Sequence, residues 1–262
     1  MRTIWLSFLL IGPLVLAQQP AVLAPAQGAL PSQSATPVPL TQAQIEKMQR
    51  KLEDWPQLGR YRDDNLKLAV AAPGERRVVF LGDSITDFWG RHYGRFFPGK
   101  PYINRGISGQ TTPQMLVRFQ QDVIQLHPDV VVILAGINDI AGNTGAEPLD
   151  AVENNFRSMV TLARAAHIRV VLSSVLPASS FPWKPGIHPA EPVRELNKWL
   201  QSYAASEHLI YLNYYPSLAD ENGGMREGLA VDKVVHPNDA GYAIMEPLAE
   251  KAIEQAFAQT RP

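Results

Sequence analysis

Five short runs of β-branched and other apolar residues recur along the chain, at about 77–82, 101–105, 129–135, 168–175 and 209–213, with helix-like stretches between and after them. Strands that read as continuous apolar runs are buried on both faces, as in parallel sheets. The helix-like stretches lie near 86–96, 111–126, 149–166, 190–206 and 238–258. The third shows an apolar face at helical spacing through Val152, Phe156, Met159, Val160 and Ala163. Strands alternating with helices, joined by right-handed crossovers, predict a parallel sheet covered on both faces. The expectation is a single three-layer α/β domain, and 262 residues are enough to bury its core.

The chain begins differently. Arg2 precedes an apolar stretch from Ile4 to Ala17, and Val15-Leu16-Ala17 offers a small-residue cleavage site before Gln18. A basic start, a short apolar core and a small residue at the cut predict a secretory signal over residues 1–17, and hence a secreted or periplasmic location. The stretch is short for a membrane span, and Pro13 would interrupt a long helix. No later segment reaches spanning length, so no integral membrane domain is expected after signal removal. Residues 18–40 are rich in Pro, Ala, Gln and Ser without apolar periodicity, which predicts a disordered spacer. The domain is expected over 41–262. Thr41 opens a helix to about Leu52, with Gln44 placed for a capping box, and Asp54-Trp55-Pro56 stops it. Trp55, Leu58 and Tyr61 are expected to pack this lead-in against the domain.

Composition removes several kinds of function. A formal net charge of -1 gives no general basic field, so nucleic acid is not an expected partner. The lack of cysteine excludes disulfides, thiolate metal sites and a cysteine nucleophile. There is no Gly-x4-Gly-Lys-Ser/Thr phosphate loop, no His-Glu-x-x-His and no Gly-x-Ser-x-Gly elbow.

What remains sits at strand ends or near the C-terminus. Gly82-Asp83-Ser84 follows the first apolar run, where a hydroxyl is lifted out of the core at the edge that binds ligands in α/β sheets. Asn104-Arg105-Gly106-Ile107-Ser108-Gly109-Gln110 follows the second, and Gly136-Ile137-Asn138-Asp139 the third. Asp232-Lys233-Val234-Val235-His236-Pro237-Asn238 precedes the last helix. Acyl transfer needs a nucleophile, a base, a group to orient the base, and donors for an oxyanion. Ser84 can supply the first, His236 the second and Asp232 the third. The N–H groups of Ser84 and Gly109, with the Asn138 amide, can supply the donors. The simpler reading of Ser84 is a turn residue capping the following helix, and Asp83 and Asp139 read as local loop braces. Of the other histidines, His127 and His167 lie at helix ends, and only His188 has a setting that suggests contact with substrate.

Ser84, Gly109, Asn138 and His236, in four separated blocks in this order, resemble the SGNH hydrolases, also called GDSL-like lipases and esterases. The resemblance spans about residues 77 to 250 and is nearest to acetylhydrolase-like members with Asn-Arg-Gly-Ile-Ser-Gly and Gly-x-Asn-Asp segments. It implies a flavodoxin-like sheet of order 2-1-3-4-5 and hydrolysis of esters through an acyl-serine, with no metal or cofactor. One feature departs from it. The family usually places its Asp three residues before the His, where this chain has Lys233; Asp232 is four before. Positions three or four apart can share a face if the loop makes a helical turn, so Asp232 is the first candidate, with Asp220, Glu227 and Asp239 as alternatives.

The expected substrate is a small-molecule or glycan ester with a short acyl group, with acetyl first. A lysophospholipase, a thioesterase, an acyltransferase using the same residues and a non-catalytic glycan-binding domain are the other readings. The loop from Leu176 to Pro192 is expected to form a stiff rim carrying Phe181, Trp183 and His188. Trp89 is placed either to line the pocket or to pack under the first helix.

Overall fold

The computed structural model describes residues 39–262; the expected signal segment and all but the last two residues of the spacer lie outside the described residues. The strands are β1 (Val78–Gly82), β2 (Tyr102–Gly106), β3 (Val130–Leu134), β4 (Arg169–Ser173) and β5 (Ile210–Leu212). The helices are α1 (Gln42–Glu53), α2 (Arg62–Lys67), α3 (Ser84–Phe88), α4 (Thr112–Asp122), α5 (Ile137–Ile140), α6 (Leu149–Ala165), α7 (Ala190–Ser206), α8 (Tyr215–Leu218) and α9 (Asp239–Ala258). Every residue of β1 and β3 is buried, which is why both read as unbroken apolar runs.

All strand pairs are parallel and the order is β2-β1-β3-β4-β5, as expected. Helices α4, α6 and α7 pack in succession against one another, while α9 lies against β3, β4 and β5. The chain leaves β1 toward β2 on one side and returns to β3 on the other. That reversal opens a crevice beyond the carboxyl ends of the strands, the usual ligand site in such sheets. Gly82 pairs with Gly106 and with Leu134 at this edge, so the Gly-Asp-Ser turn lies at the crevice.

Two expectations fail here. The helix predicted over 86–96 stops at Phe88. Gly90 (φ 78°) and Gly94 (φ 65°) take left-handed backbone, and a Cβ at Gly94 would meet the Tyr242 Cβ at 2.7 Å. The segment folds into an aromatic cluster of Phe80, Trp89, Phe96 and Phe97 instead. The second concerns Trp55 alone among the three lead-in residues expected to pack against the domain. Tyr61 is fully buried and donates to the Gly106 carbonyl, but Trp55 stays 40% exposed. What holds the segment there is polar. Gln114, Gln110 and Gln121 donate from their side chains to the carbonyls of Trp55 (2.6 Å), Pro56 (2.7 Å) and Leu58 (2.7 Å). Among the described residues, no helix is long and apolar enough to cross a membrane.

Candidate active site

Asp83 is the N-cap of α3, its Oδ1 accepting from the Ile85 N–H at 3.0 Å. Ser84 is therefore the first helical residue and not the cap. Its N–H is one of those a helix start leaves without an intrahelical acceptor. Gly82 admits no side chain, because a Cβ would fall 2.1 Å from Thr86 Oγ1 and 2.9 Å from the Leu134 carbonyl.

Ser84 Oγ lies 2.9 Å from His236 Nε2, and His236 Nδ1 lies 2.6 Å from Asp232 Oδ2. The four-residue spacing works because the loop wraps around its own carboxylate. Asp232 Oδ1 accepts the N–H groups of Val234 (3.0 Å), Val235 (2.8 Å) and His236 (3.1 Å), with Lys233 between them in left-handed backbone. Burial pushes the Asp232 carboxyl upward, but the His236 hydrogen bond and these three N–H donors outweigh it and hold it well below the usual carboxylate range. With Nδ1–H turned to Asp232, Nε2 is free to accept the Ser84 hydroxyl proton. The alternative carboxylates are engaged elsewhere or face solvent. Asp220 accepts from Asn222 and Gly224, Asp239 accepts from Gly94, and Glu227 is exposed.

The remaining donors are held by a second set of bonds. Gly109 adopts φ 81°, and a Cβ there would find only Asn143 Nδ2, at 4.0 Å. Asn138 donates from Nδ2 to the Gln110 carbonyl at 3.0 Å, leaving its second N–H for an incoming oxygen. Asn143, which the sequence did not single out, donates to Asn138 Oδ1 (2.8 Å) and to the Gly109 carbonyl (3.2 Å). It joins the second and third blocks. Asp139 is a brace as expected, accepting from the Thr112 N–H and hydroxyl. No group of three or more His, Asp or Glu side chains among the described residues is arranged to hold a metal ion.

Asp83 presents an unusual acid. It is fully buried and its Oδ2 has no hydrogen-bond partner. Desolvation, partly offset by the Ile85 N–H and by nearby His236, pushes its carboxyl up to about 7. The folded chain thus binds this proton more tightly than the unfolded chain does. Its stabilising contribution is fully present below the ordinary carboxylate value and is lost as pH rises toward 7. Asp83→Asn should therefore gain stability relative to wild type between pH 5 and pH 8, by roughly 2–3 kcal/mol. Denaturant unfolding of both proteins at the two pH values checks this, and a constant difference would contradict it. Burial also raises Asp139, to about 6 against its Thr112 bonds, so the comparison must be made between the two proteins and not within one.

The rim departs from expectation at Phe181, and Trp89 takes the second of the two places open to it. Trp89 is 2% exposed, donates Nε1–H to the Arg95 carbonyl and packs with its ring 5.1 Å from that of Tyr242, so it lies under the first helix. Phe181 is buried and backs Trp183 at 5.1 Å between ring centroids. His188 is exposed on the same loop. Trp183 is 42% exposed and its ring lies 6.1 Å from that of His236. Phe88, another residue not anticipated, lies with its ring 5.2 Å from the same imidazole.

Residues 80–244, more than half of the chain, match the GDSL-like lipase/acylhydrolase family. The chain belongs to this family. A GDSL-like lipase of known structure from Bacteroides thetaiotaomicron is 44% identical to this family member, with a TM-score of 0.74 over 77% of this chain and 98% of that one. An acetylxylan esterase from Geobacillus stearothermophilus is 33% identical over 87 residues. That match covers 24% of this chain and 40% of the curated relative's length. A variant of an acetyl-xylooligosaccharide esterase is similar in fold, with 22% identity and a TM-score of 0.56 over 74% of this chain and all of that one. The family places this chain among the ester-hydrolysing serine hydrolases.

Proposed function

We propose that this GDSL-family protein is an exported serine esterase that removes short acyl groups, acetyl above all, from esters that include acetylated carbohydrates. The observation that carries the reading is the continuous line Ser84–His236–Asp232, with the exposed indole of Trp183 beside His236. Ser84 Oγ attacks the acyl carbonyl while His236 Nε2 takes its proton. The N–H groups of Ser84 and Gly109, with Asn138 Nδ2, receive the oxyanion. Collapse expels the alcohol, which takes the proton from His236. Water then attacks the acyl-serine with His236 as base, releasing the acid and restoring Ser84. Throughout, Asp232 holds the imidazole in the productive tautomer.

The flat, partly exposed face of Trp183 suits a sugar ring, and the relative that acts on acetylxylan supports a glycan ester. Export to the periplasm or beyond rests on the pattern of residues 2–17. A series of p-nitrophenyl esters of increasing chain length, run beside acetylated xylooligosaccharides, tests the substrate. The expected result is highest kcat/KM for acetyl, falling with chain length. Trp183→Ala should raise KM for the glycan ester about three- to tenfold while sparing p-nitrophenyl acetate. A preference for long acyl chains or lysophospholipids would overturn the assignment, and transfer of acetyl to a sugar acceptor in place of water would mark an acyltransferase.

A further inference from the structure

We infer that Arg118 is a positioning residue for the oxyanion pocket, one buried guanidinium that fixes the loop after β1 against the loop after β2. The inference rests on the roles proposed above for Ser84, Gly109 and Asn138. Arg118 lies on α4 and is 0% exposed. Its Nη2 donates to the Gly82 carbonyl at 3.0 Å and its Nε to Gln110 Oε1 at 2.6 Å. Gly82 stands two residues before Ser84, and Gln110 directly follows Gly109. The Gln110 carbonyl in turn accepts the Asn138 amide at 3.0 Å. All three oxyanion donors therefore trace back to one side chain that touches none of the reacting atoms.

Both ends of this tie are anchored. Gln110 Nε2 is held by the Pro56 carbonyl at 2.7 Å. Arg118 Nη1 reaches Asp122 Oδ2 at 3.2 Å, and Asn65 holds the other Asp122 oxygen at 2.8 Å. The Gly82 carbonyl also accepts the Ile107 N–H at 3.0 Å, so both loops meet at that atom. An ion pair buried as deeply as Arg118–Asp122 is weak evidence for a stabilising role, because apolar side chains of similar volume often serve as well. A planar fork with fixed donor directions does something they cannot. It sets the distance and angle between two backbone segments.

Displacing those segments moves donors that act on the tetrahedral oxyanion more than on the bound ester. The loss should therefore appear in kcat and not in KM. The test pairs Arg118→Met with Asp122→Leu, which removes both charges together, and compares Arg118→Lys, which keeps a cation for Asp122 but lacks the fork. Thermal unfolding, kcat and KM on p-nitrophenyl acetate are measured for each. Both variants should lose about 10- to 100-fold in kcat with KM nearly unchanged, whatever their relative melting temperatures. If kcat instead follows melting temperature, or a folded variant turns over like wild type, the tie has no positioning role. Should the paired variant fail to fold, Gln110→Met cuts the same link from its other end and should give the same kcat loss; wild-type kcat there also overturns the inference. Ser84→Ala run in parallel separates the two readings. Activity in Ser84→Ala sinks the site itself, whereas an inert Ser84→Ala beside normal Arg118 variants sinks only the tie.

Discussion

Ser84→Ala is expected to fold like wild type and to lose ester hydrolysis by about 10⁶ in kcat, the scale on which serine hydrolases lose their nucleophile. The substitution removes one oxygen from a nearly buried side chain whose hydrogen bond runs to His236 Nε2 at 2.9 Å. The α3 cap is untouched, because Asp83 supplies it. Stability should therefore change little. The oxyanion donors remain in place, so any residual rate would come from water attacking a polarised carbonyl. A burst assay on p-nitrophenyl acetate, together with labelling by a fluorophosphonate, measures the effect. Labelling of the wild type at Ser84 and none in the variant is the expected pair of results. Turnover of a folded Ser84→Ala at the wild-type rate would remove Ser84 from the mechanism.

Much of this site could be read from the chain because strand ends are punctuated in the sequence. An unbroken apolar run stopping at Gly82-Asp83-Ser84 fixes where a hydroxyl emerges, and the same logic finds Gly109 and Asn138. Where the reading failed, tertiary contacts overrode local pattern. Phe88, Trp89, His92, Tyr93 and Phe96 fall at helical spacing, so 86–96 looks like an amphipathic helix. The left-handed backbone at Gly90 and Gly94 cancels that pattern, and the aromatics pack as a cluster around Phe80. The same cluster decides between the two places the sequence left open for Trp89, which packs in it. On α4, Gln114, Arg118 and Asp122 are polar residues four apart along one face, and all three are buried. Their partners include the carbonyls of Trp55 and Gly82 and the side chain of Asn65, which come from distant parts of the chain. No periodicity can reveal a polar face whose complement is set by the fold. Asn143 escaped notice for the same reason, since its value lies in bridging Asn138 and Gly109.

Asp232→Asn should lower kcat by about 10⁴ while leaving KM and the loop largely intact. An amide oxygen can still accept the N–H groups of Val234, Val235 and His236, which Asp232 Oδ1 now accepts at 2.8–3.1 Å. At the other position, however, an Asn NH2 donates to Nδ1 where the carboxylate accepts from it. The imidazole proton is then driven to Nε2, which faces Ser84 with an N–H and cannot take the hydroxyl proton. The orienting charge disappears as well. Moving a carboxylate to the family's usual spacing, by adding Lys233→Asp, should not rescue the variant. Position 233 is exposed and left-handed (φ 66°), so its side chain is not presented to the imidazole. Recovery in that double variant would show that spacing, not the wrapped loop, selects the partner. Stability gives an independent readout with a definite sign. Because the folded state holds the Asp232 carboxyl well below its ordinary value, its contribution is complete above that value and fades only as pH falls through the folded one. The stability deficit of Asp232→Asn should accordingly be largest near neutral pH and shrink in strong acid; a deficit that grew on acidification would mean that the carboxylate is not the proton-repelling, ionised partner its hydrogen bonds describe.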